Sequence, residues 1–246
     1  MKFLKLALVA AAASVAMGGA AMAEELKLSY NVGVASDYIF RGTSQTLGDP
    51  QVFGGVDVTY GLGYAGVWAS NVDFGTNDPS TEIDVYAGVK PVIGDINLDL
   101  GVIYYGYVDD KAPKTTPPVA SPGSFSYVEV KAAASKAFGP ATLGAALYYS
   151  PEFPLDGGEA LYYELNGAVP IGEKLTLSGA VGRQTVDTPG YYGGGLGKSY
   201  NTFNVGVSAA VTDHLTADLR YSDTSKHEYG NAVFGNAFTA SLKAAF

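Results

Sequence analysis

Leu26-Lys27-Leu28-Ser29-Tyr30-Asn31-Val32-Gly33-Val34-Ala35 alternates large apolar side chains with polar or small ones at every step. A strand points successive side chains to opposite faces, so this stretch has one apolar face and one polar face. The same period recurs along the chain. Ile83, Val85, Ala87 and Val89 oppose Glu82, Asp84, Tyr86 and Lys90. Leu98, Leu100, Val102 and Tyr104 oppose Asn97, Asp99 and Tyr105, and Leu161, Tyr163 and Leu165 oppose Tyr162, Glu164 and Asn166. Twelve such segments are predicted, at 26–36, 51–60, 64–74, 81–90, 96–107, 125–138, 141–150, 159–169, 175–186, 199–211, 215–222 and 236–246. Most approach the 9–11 residues that a tilted membrane-spanning strand needs. The segments at 64–74 and 141–150 alternate least cleanly, because Val67 and Trp68 are adjacent in the first of them.

Between the segments, short links at 61–63, 91–95, 139–140, 171–174 and 212–214 take turns with longer polar stretches at 37–50, 75–80, 108–124, 151–158, 187–198 and 223–235. Short periplasmic turns and long extracellular loops produce this rhythm in outer-membrane barrels, whereas a sandwich with Greek-key connections has no reason to follow it. The expected fold is therefore all-β: an antiparallel up-and-down transmembrane barrel of about twelve strands, over residues 24–246. Hydrocarbon offers no partner to a free N–H or C=O, so the barrel has to close on itself.

Residues 1–23 carry Lys2 and Lys5, then an apolar core from Leu6 to Met17, then Ala21-Met22-Ala23. That is the pattern of a cleaved signal peptide, and its core is too short for a spanning helix. Its loss would take the formal charge from −9 to −11, a balance that argues against nucleic acid as a partner. The chain has no Cys, which excludes disulfides and thiolate metal sites. No cofactor is implied. Glycine at 32 residues and tyrosine at 18 suit twisted strands with aromatic belts. Tyr30, Tyr60, Tyr64, Tyr104, Tyr149, Tyr163, Tyr221 and Phe246 fall near segment ends, as girdle residues would.

The final strand sets Phe238, Ala240, Leu242, Ala244 and the terminal Phe246 on one face. A terminal aromatic on an alternating strand resembles the signal read by the outer-membrane assembly machinery. The other partners implied are outer-membrane lipid and lipopolysaccharide, and no lipid-facing patch singles out an oligomer interface.

If the apolar faces meet lipid, the polar faces enclose a lumen holding Asp57, Asp73, Glu82, Asp84, Asp99, Glu129, Glu164 and Asp218, opposed by Lys90, Lys131, Arg220 and Lys243. The excess of carboxylates predicts a mild cation preference. Alternatively the charges pair across the lumen and plug it, with Lys243 and Asp218 as one such pair. Twelve strands lie between barrels filled by side chains and open porins, so the expected pore is narrow. The Pro-rich stretch 108–124 is either a constriction loop or a surface loop. Asp37 and Arg41, four apart, fall on the inward parity of the first segment. Arg41 could pair with Asp37, Glu82 or Asp84, either fixing the first loop or acting as a selectivity residue at the rim. Gly42 supplies a turn with positive φ.

Asn31-Val32-Gly33-Val34-Ala35-Ser36-Asp37-Tyr38-Ile39-Phe40-Arg41-Gly42-Thr43-Ser44-Gln45-Thr46 resembles the opening block of the TorF porin family, also catalogued as the conserved hypothetical family Gcw_chp. Gly66-Val67-Trp68-Ala69-Ser70-Asn71, Glu82-Ile83-Asp84-Val85-Tyr86-Ala87-Gly88, Gly101 to Tyr107 and Tyr127-Val128-Glu129 resemble its later blocks. The family pattern often carries Pro after the last Tyr of its fourth block. Val108 stands there in this chain, so that strand is expected to run on. The resemblance implies an outer-membrane barrel with a porin role and no defined substrate.

Catalysis has little to work with. A serine hydrolase needs a His beside its nucleophile. Only His214, in a predicted periplasmic turn, and His227, near Asp223, Ser225 and Glu228, exist. Two His make no convincing zinc site. The run Gly193-Gly194-Gly195-Leu196-Gly197 precedes no helix and reads as a loop rather than a phosphate cradle. An outer-membrane lipid-modifying enzyme and a closed structural or adhesive barrel are the rival readings to a channel for small hydrophilic solutes or ions.

Overall fold

The computed structural model describes residues 25–75, 79–110, 124–189, 191, 198–227 and 233–246. The segment predicted as a signal peptide, the glycine run at 193–197 and most of the 108–124 stretch lie outside these residues. The elements are β1 (Lys27–Ala35), β2 (Ile39–Phe40), β3 (Thr43–Ser44), β4 (Gln51–Tyr60), β5 (Gly63–Asn71), β6 (Thr81–Val89), β7 (Val92–Ile93), β8 (Ile96–Val108), β9 (Tyr127–Phe138), β10 (Ala141–Phe153), β11 (Gly158–Ile171), β12 (Leu175–Val186), β13 (Ser199–Ala210), β14 (Leu215–Thr224) and β15 (Ala237–Ala245). Among the described residues there is no helix.

Each long strand is antiparallel to the next, and β1 pairs both with β4 (Asn31 opposite Gly55) and with β15 (Asn31 opposite Ala245). Twelve long strands thus close into a barrel. Phe246 and Tyr30 exchange backbone hydrogen bonds of 2.9 and 3.1 Å across the seam. The short β2 and β3 form a separate two-stranded sheet that is not part of the wall, and β7 only folds the link between β6 and β8.

The wall is inside-out. Leu28, Leu165 and Leu219 are more than 60% exposed, while Glu82, Glu129 and Gln184 are at most 2% exposed. An apolar face this continuous far exceeds the few hundred Å² that water-facing surfaces tolerate, so it requires an apolar solvent. The residues flanking the three leucines along their strands, Lys27, Ser29, Glu164, Asn166, Asp218 and Arg220, are all polar and point to the other face by the period of two.

Several expectations needed correction. The strands β10 and β11 run to Phe153 and from Gly158, so the long loop expected at 151–158 shrinks to the turn 154–157, where Leu155 and Asp156 take φ of 56° and 61°. β8 does continue through Val108. In β5, Val67 faces outward and Trp68 inward against Tyr38 and Phe53. Tyr64, assigned to the outer girdle, turns inward to donate to Asp99. A phenol serves either surface, and Tyr64 shares the inward face of β5 with Trp68 by the period of two. Asp73 lies beyond the end of β5, exposed in a loop where it accepts the Gly75 N–H, and is not a wall residue.

Candidate functional site

The lumen is organised by the first loop. After β1 the chain turns into the barrel instead of running out, and β2 and β3 form a minimal hairpin with Phe40 opposite Thr43. Its two central residues, Arg41 (φ 48°) and Gly42 (φ 77°), are both left-handed, the combination that matches a tight two-residue hairpin to strand twist. A Cβ on Gly42 would come within 2.7 Å of Thr224, so this position also needs Gly for space. Asp37 ties the base of the loop, accepting from the Ser44 hydroxyl at 2.6 Å and the Thr46 hydroxyl at 2.8 Å. The Ser44 N–H donates to the Val233 carbonyl at 3.0 Å and so joins the hairpin to the last loop.

This route carries the guanidinium of Arg41 into the barrel. Its two terminal nitrogens donate to both oxygens of Glu129, on β9, at 2.7 and 2.6 Å, and one also donates to the Gln184 carbonyl oxygen, on β12, at 3.0 Å. The guanidinium carbon lies 4.7, 4.9 and 4.4 Å from the ring centres of Phe40, Tyr148 and Tyr162. Arg41 is 6% and Glu129 1% exposed at the side chain. Tyr105 donates to Glu129 at 3.2 Å and stacks on Tyr127 at 4.5 Å. Burial alone would lower the Arg41 pKa, but the adjoining carboxylate outweighs it and holds the group above its ordinary value. The expected partners Asp37, Glu82 and Asp84 are thus not the ones used. The inward parity of Asp37 and Arg41 fails as well, because β1 ends before either residue.

Beside this cluster, Tyr38 donates to Glu82 at 2.9 Å and packs on Trp68. One oxygen of Asp84 is buried with no hydrogen-bond partner. Toward the other end of the lumen, Lys131 meets Asp99 at 2.7 Å and Lys90 approaches it at 4.0 Å, the latter over the Tyr64 ring. Asp57 accepts from Tyr86 at 2.6 Å, and Glu164 accepts from Tyr162 at 2.8 Å and from Asn166 at 3.0 Å. Asp218 pairs with Arg220 at 3.1 Å and accepts from Ser208 at 2.7 Å. The expected Lys243–Asp218 pair is not made, since Arg220 has taken that carboxylate. Lys243 instead sits opposite Gly33 and Thr216.

Of the charges named from the sequence, Glu82, Asp84, Asp99, Glu129 and Asp218 are buried inside the ring, and tyrosine partners the carboxylates more often than a base does. Glu82, Glu129, Asp57, Asp99 and Glu164 each receive a phenol hydroxyl. Sequence reasoning assigned none of these tyrosines to a carboxylate, although the polar parity of Tyr86, Tyr105 and Tyr162 marked them as inward. Of the two His, His227 lies 2.7 Å from an Asp223 oxygen, and His214 stacks on Phe246. Among the described residues no Ser hydroxyl is hydrogen-bonded to either ring.

A closed twelve-stranded antiparallel barrel with an apolar exterior and a charged, tyrosine-rich interior has the architecture of outer-membrane β-barrel proteins. Within that class the chain belongs to the family Gcw_chp, described as bacterial protein of unknown function, which matches residues 19–246. No curated protein matches the sequence. Among solved structures it is similar to the NanC porin, with TM-score 0.55 and 9% identity over 89% of this chain and 98% of that one. It is equally similar to the KdgM porin, with TM-score 0.55, 7% identity and the same coverage, and to KdgM in complex with disordered oligogalacturonate. At such identities the shared property is the fold.

Proposed function

We propose that the protein is an outer-membrane channel for passive diffusion of small hydrophilic solutes or ions, mildly cation-preferring, in keeping with the TorF porin resemblance. In this reading residues 1–23 are a cleaved leader, the barrel sits in outer-membrane lipid and lipopolysaccharide, and the strand ending in Phe246 is what the assembly machinery reads. The observation that carries it is the inverted wall: carboxylates, bases and phenols turned inward within a closed ring whose outer face is apolar. Such an interior suits water and ions, and its excess of carboxylates over bases favours cations.

The test is conductance of the refolded protein in planar bilayers under a salt gradient. Stepwise openings with a reversal potential favouring cations are expected, and one favouring anions would overturn the cation preference. A second reading, a closed structural barrel, is favoured by the buried Arg41 hairpin in the lumen. It predicts a silent bilayer for the native chain.

A further inference from the structure

Around Arg41 the wall supplies a complete receptor for a planar cation. Glu129, Tyr148, Tyr162 and Gln184 come from β9, β10, β11 and β12, four consecutive strands held in register. The carboxylate presents both oxygens to one fork, the amide oxygen accepts at its side, and the two wall rings lie at 4.9 and 4.4 Å. Glu129 and Gln184 are each 1% exposed. The group that fills this cage belongs to none of these strands. It arrives on a hairpin of two residues per strand, which is tied elsewhere by Tyr38 to Glu82 and Trp68, by Phe40 to Tyr105, by the Asp37 hydroxyl contacts and by single backbone bonds.

We infer that the cage of Glu129, Gln184, Tyr148 and Tyr162 is a binding site for the guanidinium group of a small cationic solute, which Arg41 occupies as a tethered ligand, and that such a solute releases the first loop by taking its place. The inference rests on the channel reading, because the solute reaches the cage through the lumen. Guanidinium is favoured over ammonium because only a planar fork meets both Glu129 oxygens at once while stacking on rings. A loop-tethered group has an effective concentration of millimolar order, so displacement in the native chain begins above that range, whereas an emptied cage responds below it.

The probe is methylguanidinium, set against sodium chloride at equal ionic strength and kept far below denaturing concentrations. It is applied to the refolded native chain, Arg41→Ala and Arg41→Ala/Glu129→Gln. In detergent, methylguanidinium should raise the Tm of Arg41→Ala saturably and leave the double variant where sodium leaves it. In bilayers it should reduce the current of Arg41→Ala with the same half-saturation. In the native chain, cleavage by chymotrypsin after Phe40 should rise several-fold as methylguanidinium is added, and methylammonium should do less. If Arg41→Ala does not refold, the native-chain cleavage decides alone. No response beyond that to sodium in either the Tm or the cleavage overturns the inference. A saturable Tm shift with every bilayer silent keeps the cage and removes the channel. Openings that ignore methylguanidinium, with a Tm that ignores it too, keep the channel and remove the cage.

Discussion

Replacing Glu129 with Gln keeps the shape of the side chain and removes its charge. Arg41 is then left as a buried guanidinium facing three rings and two amide groups. Each ring contributes on the order of 0.5–2 kcal/mol, and those contacts are the same before and after the change. Removing one partner of a buried ion pair costs about 3–5 kcal/mol, because the remaining charge is desolvated without compensation. The unchanged ring contacts therefore do not offset the loss, and the docking equilibrium of the hairpin should fall by about two to three and a half orders of magnitude at 1.4 kcal/mol per decade. Chymotrypsin cleavage after Phe40 reads this directly, since cleavage tracks the open population when reclosing is fast. Glu129→Gln should be cut faster by roughly that factor at unchanged global Tm. Arg41→Met/Glu129→Leu, which removes both charges and refills the space, should return most of the way to native protection, because apolar replacement of both partners is about neutral. Native protection in Glu129→Gln would refute the assignment of the ion pair as the loop's main anchor.

Gly42→Ala should also open the hairpin, because a Cβ there meets Thr224 at 2.7 Å in a φ of 77°. Gly48→Ala, at φ 89° with nothing within 4 Å, should open it less, and the two cleavage rates compare them. Burial would raise the Asp110 pKa, but donors from Ser124, Phe125 and Ser126 outweigh it and hold the carboxyl below its ordinary value. A depressed acid stabilises above its unfolded pKa of about 3.9 and loses that contribution as pH falls through the lower folded value. The Tm difference between the native chain and Asp110→Asn should therefore be constant near neutrality and shrink only in the acid range below that point. Leu165→Arg places a charge on the outer face of β11, where Leu165 is 63% exposed, and should cost about 2–4 kcal/mol in urea unfolding from liposomes if that strand spans lipid. Unchanged stability would contradict a lipid-facing wall.

The period of two in Leu26 to Val34 and its repeats was enough to assign strands, their inner and outer faces, and closure, because alternation is a local property of extended backbone and an edge is untenable in hydrocarbon. Val108 in place of Pro was enough to extend β8. Alternation failed where both neighbours are apolar, as at Val67 and Trp68, and where one side chain suits either solvent, as at Tyr64. It had no access to the destination of Arg41. Glu129 lies 88 residues away, and the two meet only because the chain after Ala35 turns inward and the barrel brings β9 to the hairpin's tip. Spacing along a chain reports neighbours within a strand or turn. Which carboxylate receives the Arg41 guanidinium is set by how the ring closes and which loop folds into it, and those are properties of the assembled barrel.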